Sequence, residues 1–241
     1  MASSAADLTS RLLRHERGVL LGAILLLATL SWIFVLGGMR MQSMQPPPWA
    51  LVLMWSIMMV AMMLPSATPA ILLYANVRRS RQHEVAIAQP WVFLAGYLLV
   101  WLAFSMIAAL AQIALERPVA ALPETLAQST LLLAAGLYQL SPVKSACAYQ
   151  CRSPAQFITR HWRPGTTGAL RLGVLHGLYC VGCCWVLMAL LFVGGTMNLL
   201  WVVALTGLVA AEKLLPNGNL VQIASGIALI LWGALRLVGL A

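Results

Sequence analysis

The stretch HGLYCVGCCWVLM, residues 176–188, sets three thiols, an imidazole and a thioether in an almost purely apolar run. His176, Cys180 and Cys184 are four residues apart, so a helix puts them on one face, and Met188 continues the series. Cys183, three residues after Cys180, adjoins that face. Thiolate and thioether are soft ligands that select Cu(I) over hard cations. A single buried cysteine packs as a small hydrophobe. Three of them one turn beyond a histidine, inside an apolar helix, point instead to a ligand set.

Two further groups extend that chemistry. In MWSIMMVAMMLPS (54–66), Met54, Met58 and Met62 repeat at helical spacing, with Met59 and Met63 beside them. Methionine is ordinary filler in apolar helices, but it is also a Cu(I) ligand. In CAYQC, Cys147 and Cys151 are four apart and share a helical face; two thiolates suit Cu(I) or half of a zinc site. Lys144, Arg152 and Arg160 nearby are expected to favour the thiolate forms. The spacing is not the C-x-x-C of thioredoxin-like proteins, which weakens a redox reading. Met39, Met41 and Met44 offer weaker ligands in GGMRMQSMQPPP (37–48), and Met197 lies in a second short turn. Glu212 is an acid inside an apolar run and is read as a candidate proton or metal partner, while Lys213 needs no role beyond the charge balance of its loop.

These residues need long apolar helices to hold them. The 241 residues are 61% hydrophobic and 9% charged, against about 25% charged in soluble domains. The composition is that of an all-α, polytopic transmembrane bundle in one domain, residues 1–241. About seven spans are expected: 19–36, 49–75, 91–115, 125–140, 169–193, 199–215 and 220–238. Pro65 and Pro69 are expected to kink or break the second near its inner end, with Tyr74 and Asn76 serving the freed carbonyls. With the N-terminus inside, only Arg40, Arg117 and Arg236 of the 15 Lys and Arg fall outside, which sets that orientation. Residues 1–17 are then a cytoplasmic tail, 37–48 an outer Met/Pro loop, and 141–171 an inner, Cys-bearing segment suited to the headgroup level.

At 1.5 Å per residue from Arg171, Cys180 and Cys184 lie roughly 13 and 20 Å deep, and Met58 and Met62 reach similar depths from the other surface. The net charge of +9 follows from topology and gives no support to nucleic-acid binding. There is no P-loop, G-x-S-x-G or H-E-x-x-H motif, and six Asp and Glu leave little for carboxylate catalysis, so the chain is read as a non-enzyme.

The segments WSIMMVAMMLPSATP, AAGLYQLSPVKSACAYQCRSP, FITRHWRPGTTGALRLGVLHGLYCVGCCWVLM, GTMNLLWV and EKLLP resemble a bacterial family described as predicted metal-binding integral membrane proteins, a domain of unknown function. The resemblance spans 54–216. It implies an inner-membrane copper chaperone, some members being encoded with a tyrosinase-type copper oxidase that they are thought to supply. The ligands it implies are Cys147, Cys151, His176, Cys180, Cys183 and Cys184 with the methionines of the second span. The expected cargo is Cu(I), with zinc ranked behind it. The expected partners are the lipid bilayer and a copper-dependent oxidase. Two rivals stand beside this reading: a membrane thiol–disulfide oxidoreductase using Cys147/Cys151 and Cys183/Cys184, and a non-catalytic helical assembly subunit whose cysteines only pack.

Overall fold

The structure, a computed structural model, describes residues 2–38, 47–81, 88–120, 123–194 and 198–239. Every regular element among them is helical: α1 (Ala2–Gly38), α2 (Pro48–Arg81), α3 (Ala88–Ala120), α4 (Glu124–Gln139), α5 (Pro142–Arg152), α6 (Pro154–His161), α7 (Gly165–Ala189), α8 (Leu191–Gly194), α9 (Leu199–Leu214) and α10 (Gly218–Leu237). Stretches of α1, α2, α3, α7 and α10 are long and apolar enough to cross a membrane. Helices α4 and α9 have 16 residues each, about 24 Å at 1.5 Å per residue and short of a hydrocarbon core of about 30 Å. Met39, Met41, Met44 and Met197 lie outside the described residues.

The bundle exposes large apolar side chains and buries a few polar ones within an apolar core. Leu25, Leu30, Ile107, Leu110 and Leu231 are exposed, while Gln139, Lys144, His176, Glu212, Lys213 and Gln222 are buried. Backbones meet where glycine removes the side chain. A Cβ on Gly173 of α7 would lie 2.1 Å from the Phe93 carbonyl oxygen of α3, and one on Gly96 of α3 would lie 2.7 Å from that of Leu170. Between α4 and α10, a Cβ on Gly136 would lie 2.7 Å from the Gly226 carbonyl oxygen. This small-residue packing lets dispersion act at close range between helices.

One expectation, a break at the prolines, is corrected. Helix α2 runs unbroken through Pro65 and Pro69. Pro65 has no N–H for the Ala61 carbonyl, and the Trp32 indole of α1 donates to that oxygen at 3.1 Å instead. Asn76 is engaged by Arg17, and the Tyr74 hydroxyl makes no hydrogen bond, so neither serves the freed carbonyl. The inner segment 141–171 is anchored on the bundle by a few buried residues. Ser141 caps α5 by accepting from the Lys144 amide, Pro142 occupies the first turn, and α5 then packs on α7 with Lys144 and Ala148 buried. Phe157 and Ile158 of α6 are buried as well.

Candidate metal centre

Helix α7 places Cys180, Cys183 and Cys184 in the core, each at most 2% exposed. Cys183 Sγ lies 3.3 Å from Cys184 Sγ and 3.2 Å from the Cys180 carbonyl oxygen. Helix α5 brings the fourth thiol: Cys151 Sγ is 4.0 Å from Cys183 Sγ. Sulfurs bound tetrahedrally at about 2.3 Å stand about 3.8 Å apart, so the Cys151–Cys183 spacing is that of two ligands of one ion. Cys147 comes against the same stretch of α7, where a Cβ on Gly182 would lie 2.9 Å from its sulfur. The Tyr138 hydroxyl of α4 donates to the Gly182 carbonyl at 2.5 Å and fixes that wall. The two cysteines, one turn apart on α5, thus meet consecutive residues of α7.

The basic residues beside CAYQC do not favour thiolates as expected. Lys144 Nζ pairs with Glu212 Oε2 at 2.7 Å, and Arg152 donates to the Glu212 and Gly218 carbonyls at 2.6 and 2.9 Å. Burial accordingly pushes the Cys147 thiol up from its ordinary value. The Cys151 thiol is pushed up too, first by the neighbouring Cys180 thiol and further by burial. The cation that meets a thiol is Lys213 of α9, whose Nζ is 2.9 Å from Cys180 Sγ. Sequence reasoning gave Lys213 no such role, because a lysine near a helix end reads as snorkelling. It also passed over Tyr97 of α3. The Tyr97 hydroxyl lies 3.2 Å from Cys180 Sγ and donates to the Met63 carbonyl at 3.2 Å.

Those two residues separate the thiols from the methionines. Met58, Met59, Met62 and Met63 are buried in the same core as the cysteines. Yet α2 packs mainly on α1, α3, α6 and α9, while α7 packs mainly on α3 and α5. Tyr97 and Lys213 reach across, Lys213 Nζ also standing 3.4 Å from the Ser66 hydroxyl of α2. Cys180 is therefore level with Met63, close to the register expected from residue counting.

His176 is 3% exposed, with its ring among Phe93, Tyr97 and Phe157 at centroid distances of 6.0, 5.8 and 5.3 Å. Its Nδ1 is buried without a hydrogen-bond partner. Glu212 faces the interior as expected, but its carboxylate is taken by Lys144 and by Gln139 Nε2 at 2.6 Å, which removes it as a metal ligand. No three His, Cys, Asp or Glu among the described residues form a ready-made metal cage. The thiols stand instead as close pairs.

Fold and site together define the class: a protein helical throughout its described residues, with helices of membrane-crossing length, that sets close thiol pairs beside a buried lysine. Residues 52–236 match the PpoB2 copper chaperone family, and the chain belongs to that family. Neither the curated proteins nor the solved structures hold a match to it.

Proposed function

We propose that the chain is a membrane-embedded chaperone that binds Cu(I) on the thiols of α5 and α7 and passes it to a copper-dependent enzyme, without catalysing a reaction itself. The observation that carries this is the gathering of Cys151, Cys180, Cys183 and Cys184 from two elements, in a member of a copper chaperone family. Close sulfur pairs suit Cu(I), which needs few soft ligands; tetrahedral zinc asks for four. The orphaned Nδ1 of His176, one turn before Cys180, supports a ligand role at the edge of the cluster. Cys147 is a port residue on the other side of Cys151. Met58 and Met62 are a relay from the far surface, joined to the thiols past Tyr97 and Lys213.

The apolar exterior, with its long apolar helices and a few paired polar groups buried inside, favours the bilayer as solvent. The excess of Lys and Arg on one set of loops favours an N-terminus inside a bacterial inner membrane, with α4 and α9 as two short crossings that bring the number to seven. A tyrosinase-type oxidase fits as the recipient.

Trace-metal analysis after anaerobic purification tests the reading. About one copper per chain is expected on the wild type, and its loss in the Cys180→Ser, Cys184→Ser double variant. Copper-free wild type, or unchanged binding in the variant, refutes it.

A thiol–disulfide role has one observation in its favour, the 4.0 Å approach of Cys151 to Cys183, which crosses the two pairs expected from sequence. All five cysteines are free. Metal-independent, redox-dependent alkylation of Cys151 and Cys183 would favour that role.

A further inference from the structure

We propose that the Lys213 ammonium is the fixed counter-charge of the loaded thiol cluster, so that the site takes one monovalent soft ion on two thiolates as an electrically neutral unit. The inference rests on the copper reading above and concerns how that site sets its stoichiometry and affinity.

The geometry isolates one charge. Lys213 Nζ makes its closest contact with Cys180 Sγ, at 2.9 Å, and a looser one with Ser66 Oγ, at 3.4 Å. Among the described residues it has no carboxylate partner, because the neighbouring Glu212 turns to Lys144 and forms a self-neutralising pair. Adjacent residues on a helix point about 100° apart, which is how one helix end serves two sites. Lys213 is 9% exposed and its surroundings are thiols, Tyr97, Ser66 and apolar core. An uncompensated charge in such a place is costly, and a paired one persists.

The charges then sum simply. Cu(I) with two thiolates carries −1, and the ammonium brings the unit to zero. A third thiolate leaves −1 buried, and a divalent ion on four thiolates leaves −1 as well. A neutral polar residue at 213 would preserve the hydrogen bonds but leave the loaded site charged. The same logic gives Lys213 a part in release: once the ion has moved onto an acceptor's sulfurs, both thiolates remain in the protein, one taking up a proton from water and the other staying paired with the ammonium.

Two measurements decide it. X-ray absorption of the copper-loaded wild type counts the sulfurs, two being expected and three or four overturning the proposal. Competition with a chromophoric Cu(I) chelator compares Lys213→Gln and Lys213→Arg with wild type. The Gln variant is expected to bind about a hundredfold more weakly, the usual scale for removing one partner of a buried charged pair. The Arg variant is expected to recover most of that loss. Gln binding within about threefold of wild type, or equal loss in both variants, shows that charge is not the determinant and overturns the proposal. Should Lys213→Gln fail to fold, the sulfur count on the wild type decides alone. A wild type that binds no copper removes the chaperone reading itself. Copper held by three sulfurs, or by two with no loss in Lys213→Gln, removes only this inference.

Discussion

The Lys144–Glu212 pair offers the sharpest test of how the thiol cluster is assembled. Lys144 of α5 is fully buried, and its Nζ stands 2.7 Å from Glu212 Oε2 of α9. Gln139 Nε2 donates to the other carboxylate oxygen at 2.6 Å, and Gln139 also accepts from Lys144. The network reaches α10 through Ser225, 2.7 Å from Gln139 Nε2. Glu212→Leu leaves the ammonium buried without a counter-charge, a loss of about 3–5 kcal/mol. Lys144→Met strands the carboxylate at similar cost. The double variant removes both charges and leaves only amide and hydroxyl groups to re-pair, so it should lose less than either single change, with a coupling of at least about 2 kcal/mol. Alkylation of the buried thiols Cys180, Cys183 and Cys184 in detergent gives the readout, because each tenfold rise in opening corresponds to about 1.4 kcal/mol. Each single variant should label at least about a hundredfold faster than wild type. It should also lose oxidative cross-linking of Cys151 to Cys183, since α5 is the element the pair docks. A double variant that labels as fast as the worse single would refute the reasoning.

Other contacts predict separate outcomes. Gly173→Ala drives a Cβ to within 2.1 Å of the Phe93 carbonyl oxygen, so α3 and α7 must part at a cost of about 1–3 kcal/mol; Gly22→Ala, with nothing within 4 Å, should be neutral or stabilising, and equal melting temperatures for the two would refute the close packing. Trp32→Phe removes the 3.1 Å donor to the Ala61 carbonyl and should cost about 1–2 kcal/mol in the same unfolding assay; no change would mean that oxygen finds another donor. Cys147, whose thiol burial pushes up, should alkylate more slowly at pH 8 than an unburied cysteine, its rate still climbing above pH 9 because the neutral thiol is favoured. A rate that plateaus below pH 9 would contradict that direction.

The fold was legible where composition and period speak together. Continuous apolar runs gave the membrane-length stretches of α1, α2, α3, α7 and α10, though α1 itself begins at Ala2 and α2 runs on to Arg81, and the four-residue spacing put Cys147 and Cys151 on one face of α5, the face that meets α7. What stayed hidden depended on partners distant in sequence. Nothing in EKLLP tells that Glu212 faces Lys144, 68 residues away, while Lys213 faces Cys180. Pro65 reads as a break because its cost is local, whereas its remedy, Trp32, lies on another helix. Tyr97 reads as one more aromatic in an apolar run; a hydroxyl there that must find partners in a dry core was the available signal.

The dipeptide Glu212–Lys213 explains why the cluster needs α9 at all. Neither residue is a sulfur ligand, yet one side chain anchors α5, which carries Cys151, and the other meets Cys180 on α7. Exchanging the two charges would put an ammonium opposite Lys144 and a carboxylate opposite the thiols. The first contact would then be repulsive and the second would lose its cation, so the electrostatics favour this rotation of α9. The double variant Glu212→Lys with Lys213→Glu should therefore abolish the Cys151–Cys183 approach and copper binding together. Losing packing alone at Leu205 or Val209, both buried on α9, should instead lower stability and leave the sulfur geometry of the surviving folded protein intact. Cross-linking yield measured against folded fraction separates the two. A charge swap that keeps the cross-link would mean that packing alone sets the rotation of α9.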